Sequence, residues 1–343
     1  MNILHDAFGG DNAPLEPIKG AIEAVKEYGV QVTLVGDEEK IRACAKENNL
    51  SLEGIGLAHA GDVMPMCADP STVMKEHPDS SIAVGCNLLK EHKGDAFVSA
   101  GNTGALLMAA SLTVRRIKGI KRAALGTLVP CQGGCYLLMD CGANAECRPD
   151  MLAQFAVMGS AYMSGVRGLE RPRIGLVNNG TEENKGDSLH REAHAILKKI
   201  PINFIGNVEA REIPFGACDV AVTDGFTGNA ILKLTEGLGS FFSKFLKGMF
   251  TRSTKTKLAF LMVKDGVNDF KKMMDYTEYG GAPLLGIAKP VIKAHGSSNA
   301  KAFKNAIRQA KECLEGDVIG KIETGLAQMK EQMKDLPEVP AEE

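Results

Sequence analysis

Tryptophan is absent from the 343 residues and tyrosine occurs only five times. Also lacking is any uniformly apolar run of the ~20 residues that a membrane-spanning helix needs. Residues 96–114 and 123–139 carry no charge, but Gly101-Asn102-Thr103-Gly104 interrupts the first and Pro130-Cys131-Gln132-Gly133-Gly134 the second, so neither reads as a spanning segment. An excess of charge of one sign is missing too: 40 basic and 42 acidic side chains give a formal net charge of −2. Together with 44% apolar residues, this excludes a disordered chain or one that coats nucleic acid. The nine cysteines are an odd number, and Ile3-Leu4 starts strand-like without the charged and apolar regions of a secretory leader. The expectation is a cytoplasmic protein with reduced thiols.

Several chemical signatures are absent as well. No G-x-G-x-x-G follows the first strand, and no phosphate-loop lysine motif or G-x-S-x-G elbow occurs. His190 and His194 stand four apart on a predicted helix, but Glu192 falls at the wrong offset for a zinc hydrolase, so the pair reads as solvent-facing or capping. Cys131 and Cys135 lack the C-x-x-C spacing of a metal site. No metal and no cofactor are expected.

What the sequence has is glycine, 38 residues in all, and alternating strand-like and helical runs. Strands are expected over 30–35, 96–99, 136–139, 174–177, 202–205, 219–223 and 290–294. Helices are expected near 103–117, 149–164, 187–199, 229–247 and 299–315. This alternation predicts an α/β fold, a mainly parallel sheet covered by helices on both faces. Residues 1–334 form a single domain in this reading, with a basic amphipathic helical insertion at about 240–274, and 335–343 form a disordered acidic tail.

The glycines gather where strand gives way to helix: DAFGGDN (6–12), SAGNTGA (99–105), DCGAN (140–144), NNGTEENKG (178–186), TDGFTGN (223–229) and AHGSSN (294–299). In a parallel sheet such turns share the carboxyl edge, where ligands bind. Their free N–H groups and the adjoining helix dipoles suit an anion, so a phosphate-type pocket is expected.

Two basic segments break the overall balance. Arg115, Arg116, Lys118, Lys121 and Arg122 fall within eight positions without an acid, and 240–274 carries net +6, leaving −13 on the remaining 300 residues. The second segment interleaves Phe241, Phe245, Lys247, Phe250, Leu258, Leu261 and Lys264 at helical spacing. That composition suits an interfacial membrane helix, and equally a dimer interface or a core helix. No aromatic interleaving or recognition motif supports nucleic acid.

The motifs DAFGGDNAP, SAGNTGALL, DCGANAECRPD, LVNNGTEENKG, NFIGNVEAREIPFG, DVAVTDGFTGN, YGGAPLLG and KAHGSSNAKA, collinear from residue 6 to about 315, closely resemble the bacterial phosphate acyltransferase (PlsX) family. His5, Phe8 and Cys141 depart from its usual residues at packing positions. The resemblance implies a three-layer architecture like that of phosphotransacetylase and isopropylmalate dehydrogenase. It implies transfer of a long-chain acyl group from acyl carrier protein to inorganic phosphate, giving acyl phosphate for phospholipid synthesis. Phosphate is itself the nucleophile, consistent with the missing serine elbow and unremarkable cysteines.

On that resemblance Lys185 supplies a positive charge and Asn229 donates to the oxyanion or orients phosphate. Gly9, Gly10, Asp11, Asn12, Gly101, Asn102, Thr103, Asn144, Gly180, Thr181, Thr227, His295, Ser297 and Ser298 surround the substrates. The 115–122 patch becomes a docking site for the acidic carrier. Segment 240–274 becomes an anionic-membrane or homodimer contact on the inner face of the cell membrane, near a glycerol-3-phosphate acyltransferase. The competing readings are a phosphotransacetylase-like enzyme using acyl coenzyme A, a dehydrogenase of related architecture, and a non-enzymatic regulator of lipid synthesis.

Overall fold

The computed structural model describes residues 1–273 and 276–334; the expected disordered tail and the last residue of the 240–274 segment lie outside the described residues. Eleven described strands make one sheet: β1 (Asn2–Asp6), β2 (Gln31–Gly36), β3 (Ile55–His59), β4 (Ala96–Ser99), β5 (Ala124–Cys131), β6 (Gly134–Met139), β7 (Ile174–Asn178), β8 (Phe204–Glu209), β9 (Val220–Val222), β10 (Ala282–Leu285) and β11 (Val291–Lys293). Their order is β3-β2-β1-β4-β11-β10-β5-β6-β9-β7-β8. The described α-helices are α1 (Leu15–Tyr28), α2 (Glu38–Glu47), α3 (Ser81–Lys90), α4 (Thr103–Thr113), α5 (Pro149–Arg167), α6 (Ser188–Leu197), α7 (Gly225–Thr251), α8 (Thr254–Met273), α9 (Ala300–Glu315) and α10 (Val318–Lys334).

The expected layering and the mainly parallel sheet are both present, with the antiparallel pairings confined to its centre. β3, β2, β1, β4 and β11 are parallel neighbours, as are β6, β9, β7 and β8. Antiparallel pairings of β10 with β11 and β5, and of β5 with β6, reverse the direction between these halves. The glycine loops therefore do not share the single carboxyl edge expected from the sequence.

Register brings them together instead. The end of β11 pairs with the start of β10 (Lys293 opposite Ala282), and the end of β10 with the start of β5 (Leu285 opposite Ala124). The start of β5 in turn pairs with the end of β6 (Gly126 opposite Met139). Only the length of β10 separates the two carboxyl edges, at ~3.4 Å per residue, and they face each other across it.

The core lies on both faces of the sheet. Ile3, Val32, Val98 and Phe303 pack with α1 and α9 on one side; Leu4, Phe97, Leu106 and Leu138 pack on the other. The central helix α5 buries twelve residues from Met151 to Met163. Local caps explain the helix starts: Asp37, Ser80, Asn102, Asp187, Asp224 and Asn299 each accept from the first turn of the following helix, satisfying otherwise orphaned N–H groups.

The structure departs from three further expectations. Helix α7 begins at Gly225 rather than 229, because Asp224 caps it through the Thr227 amide at 2.8 Å. Helix α4 ends at Thr113, since Arg115 takes φ 72° and the chain turns out of the helix. His194 is buried, edge-on to Phe204 with ring centroids 5.1 Å apart, rather than solvent-facing; His190 meets its own cap, Asp187, at 2.7 Å.

Candidate functional site

The facing carboxyl edges enclose a cavity of about 480 Å³. Its wall takes Asp11 from the loop after β1, Thr103 from the start of α4, Cys141 and Gly142 from the loop after β6, and His295 and Gly296 from the loop after β11. Asn229 and Lys233, one turn apart on α7, and Lys293, the last residue of β11, add to the polar lining together with Glu236, Thr127 and Tyr279. Five of the six glycine loops thus border one space, contributed by both half-sheets.

Close backbone approach holds these loops together. A Cβ on Gly9 would stand 2.6 Å from the Gly101 amide. The Asp11 amide donates to the Gly296 carbonyl at 2.8 Å, and Asn12 Nδ2 to the Ser297 and Ser298 carbonyls at 3.3 and 3.2 Å. Buried Asp6 accepts from Ser99 Oγ at 2.6 Å and from the amides of Phe8 and Gly9 at 3.0 and 2.9 Å; burial nevertheless pushes its carboxyl above the ordinary range. On the opposite edge Asp140 plays the same part, accepting from the amides of Leu125, Ala143 and Asn144 at 3.0, 3.1 and 2.7 Å.

These bonds sort the expected site residues. Asp11, Thr103, Asn229 and His295 line the cavity. Ser297 lines the adjoining space and meets His295 Nδ1 at 2.8 Å through its hydroxyl. The side chains of Asn102 and Asn144 belong to the framework. Asn102 caps Ala105 at 3.0 Å and donates to the Met66 carbonyl at 2.9 Å. Asn144 donates to the Ala123 carbonyl and to Asp140 at 2.9 and 2.8 Å. Gly9, Gly10, Gly101 and Asn12 shape the loops behind the wall, Thr227 lies in the first turn of α7, and the Ser298 hydroxyl is buried without a hydrogen bond.

Lys185, Gly180 and Thr181 are not brought into this lining. Their loop follows β7, two strands from β6, about 10 Å along the edge at the usual strand spacing. Lys185 and Thr181 are exposed there, and a Cβ on Gly180 would stand 2.9 Å from Lys185 Cγ.

Two cations not expected from the sequence, Lys293 and Lys233, line the cavity. Lys293 is buried, donating to the Ala100 carbonyl at 3.2 Å and to the Ala294 carbonyl. Burial pulls its ammonium down to about 8, partly offset by the Asp6 and Asp11 charges. Lys233 pairs with Glu236 at 2.8 Å. Burial also lowers His295, helped by Lys233. A lysine ending a strand that opens into a Gly-Ser loop was the available signal for Lys293, and the i,i+4 spacing of Asn229 and Lys233 was the signal for the second.

The 115–122 patch is exposed at all five basic positions, while Ile117 and Ile120 anchor it from beneath. It leads into β5 beside the 140–144 loop, tied there by the bond from Asn144 to Ala123. Helices α7 and α8 form a hairpin that exposes Phe241, Phe242, Phe245, Leu258, Leu261 and Met262. Phe250, one of the residues expected at the membrane or homodimer contact, packs 5.3 Å from the Phe260 ring between the helices. Among the described residues no helix is long and apolar enough to cross a membrane.

Fold and site define an α/β protein with an anion-suited cavity between opposed half-sheets. The chain belongs to the family described as "Fatty acid synthesis protein", which matches residues 1–321. It is 48% identical over 334 residues to the phosphate acyltransferase of Thermoanaerobacter pseudethanolicus, covering 97% of this chain and 99% of that one. It is 44% identical to the phosphate acyltransferase of Clostridium acetobutylicum over 96% of this chain and all of the other. Among solved structures, the EutD phosphotransacetylase of Staphylococcus aureus superposes with a TM-score of 0.61 at 18% identity, over 90% of this chain and 94% of that one. A phosphotransacetylase from Streptococcus pyogenes gives 0.63, also at 18%, over 92% and 94%; at this identity the likeness is one of fold.

Proposed function

We propose that this chain is an acyltransferase that moves a long-chain acyl group from the thioester of acyl carrier protein to inorganic phosphate, for phospholipid synthesis. A phosphate oxygen bonds to the thioester carbon, the C–S bond breaks, and its electron pair leaves with the carrier thiolate. A thiol of pKa ~8.5 is a competent leaving group without an enzyme acid. The task is to hold an oxyanion and a dianion beside a carbonyl.

The observation that carries the reading is the cavity in which Lys293, Lys233, Asn229 and the start of α4 converge from both half-sheets. Lys293 and Lys233 offset phosphate charge, Asn229 donates to the developing oxyanion, and His295 with Ser297 borders the carbonyl. In this reading Lys185, on the β7 edge, meets the incoming anion or carrier outside the cavity. The exposed 115–122 patch beside the 140–144 loop suits an acidic carrier through electrostatic steering. The apolar and basic hairpin suits an anionic membrane surface at the inner face of the cell membrane, or a second copy in a homodimer. Membrane contact would deliver acyl phosphate close to a glycerol-3-phosphate acyltransferase.

The test is trapping of acyl phosphate as hydroxamate from acyl carrier protein thioester. Product that forms only with added phosphate supports the reading, and none with phosphate present overturns it. Equal turnover of acyl coenzyme A would favour the phosphotransacetylase-like alternative, which the fold neighbours named for that activity keep in view.

A further inference from the structure

A second cavity, of about 470 Å³, opens directly from the first. The two share Thr127, Leu128, Leu232, Glu236, Tyr279 and His295, yet their character differs. Beyond the shared residues the second runs between Val129 and Pro130 of β5 and the face of α7 that carries Thr235, Gly239 and Ser243, and ends at Lys271 of α8. Apart from Glu236 and His295 at the inner end and Lys271 at the outer end, its wall holds no charged or titratable side chain except the Tyr279 phenol. Lys271 also borders a third space, about 320 Å³, that lies between α7 and α8, with Leu246, Phe250, Phe260 and Val267 on its wall beside Lys247 and Lys257.

A polar chamber that leads into a long apolar one matches a ligand with a reactive polar head and an alkyl tail. We propose that the passage along α7 binds the acyl chain of the thioester, with its carbonyl at the Thr127–His295 junction and its tail running toward the seam of the α7–α8 hairpin. This inference rests on the acyl-transfer reading above and adds to it where the chain lies and what limits its length. At 1.5 Å rise per residue, the wall from Leu232 to Ser243 is roughly 16 Å long, the reach of an extended chain of about a dozen carbons. Longer chains continue past Lys271 into the hairpin seam. The same hairpin therefore joins the acyl site to the exposed phenylalanines and leucines around it.

The test uses acyl carrier protein loaded with four-, eight-, twelve- and sixteen-carbon chains, the full-length enzyme, and phosphate-dependent hydroxamate trapping. In the unaltered enzyme kcat/KM should rise about three- to fourfold per added methylene up to about twelve carbons. Ser243→Trp, which narrows the outer passage, should lose at least tenfold with sixteen carbons and stay within twofold with four and eight. Thr235→Leu, deeper in, should move that limit to shorter chains. Because the chain has no tryptophan of its own, the Ser243→Trp variant also reports binding directly. Its emission should shift on adding the sixteen-carbon thioester and not the four-carbon one. Equal losses at every chain length, or an emission that ignores chain length, overturn the acyl site while leaving phosphate-dependent transfer standing. Absence of product from any chain overturns the transfer reading itself, and emission then decides the binding site separately.

Discussion

Gly228, in the first turn of α7, lies against the carbonyl oxygen of Asp140 at the end of β6, so closely that a Cβ there would overlap it. A second close approach stands beside it: a Cβ on Gly225 would be 2.6 Å from the Asn144 carbonyl. The start of α7 is thereby fixed on the 140–144 loop, and this sets where Asn229 and Lys233 point.

Gly228→Ala should accordingly displace α7 and cost about 1–3 kcal/mol or more, as overpacking does. Thermal unfolding should show the loss, and acyl transfer should fall by more than the lost stability explains. Unchanged melting and unchanged turnover would show that the helix is not fixed there.

Asn229→Ala should lower kcat by ~10²–10³, the usual loss for one oxyanion donor, with melting unaffected. Lys185→Ala should lower kcat/KM at least tenfold. Turnover like that of the unaltered enzyme would remove Lys185 from the site without touching the cavity residues.

Lys293 titrates at about 8 in the free protein. Its cation is present below that pH and lost above it, so kcat/KM for phosphate should fall as pH rises through about 8. Lys293→Met should weaken phosphate binding at least tenfold and abolish this alkaline limb. Persistence of the limb in the variant would assign it elsewhere.

His5 is fully buried edge-on to Phe303, and neither ring nitrogen makes a hydrogen bond of normal geometry. Burial lowers its pKa from 6.5 to about 4, offset in part by the nearby backbone of Val98 and Pro17. The unfolded chain takes up a proton as pH falls through 6.5, whereas the folded protein resists until about 4. Up to about 3 kcal/mol of stability should be lost on acidification across that window. His5→Leu should flatten that part of the melting profile; an identical pH dependence in both proteins would contradict the assignment.

The exposed hairpin should carry the protein to anionic vesicles in flotation, with binding weakened by salt. Combined Phe241→Ser, Phe245→Ser and Leu261→Ser should abolish it. Flotation that survives these changes would place the contact elsewhere, and no binding by the unaltered protein would favour the homodimer role.

Much of the fold was legible because strong local signals agreed with tertiary structure. β4, β7 and β11 and helices α5, α6 and α9 fall within a few residues of expectation, their periodicity reinforced by Pro149, Asp187 and Asn299 at the helix starts. β5 escaped notice because Pro130 and Gly126 interrupt a charge-free run that had no clear period, and β10 because four residues follow a Gly-Gly turn. Helical spacing likewise gives a side chain's face but not what that face meets: Phe250 packs against Phe260 between α7 and α8.

Composition and motif order by themselves determined the α/β class, the glycine loops and the family, because turn chemistry and hydrophobic period are local properties of the chain. Only the tertiary structure decided that those loops meet by opposition rather than by sharing an edge. Strand direction reverses through β10 and β5, pairings between residues as distant as Ala124 and Leu285, which no local pattern encodes. The same long-range register brought Lys293 and Asn229 to one cavity and left Lys185 outside it.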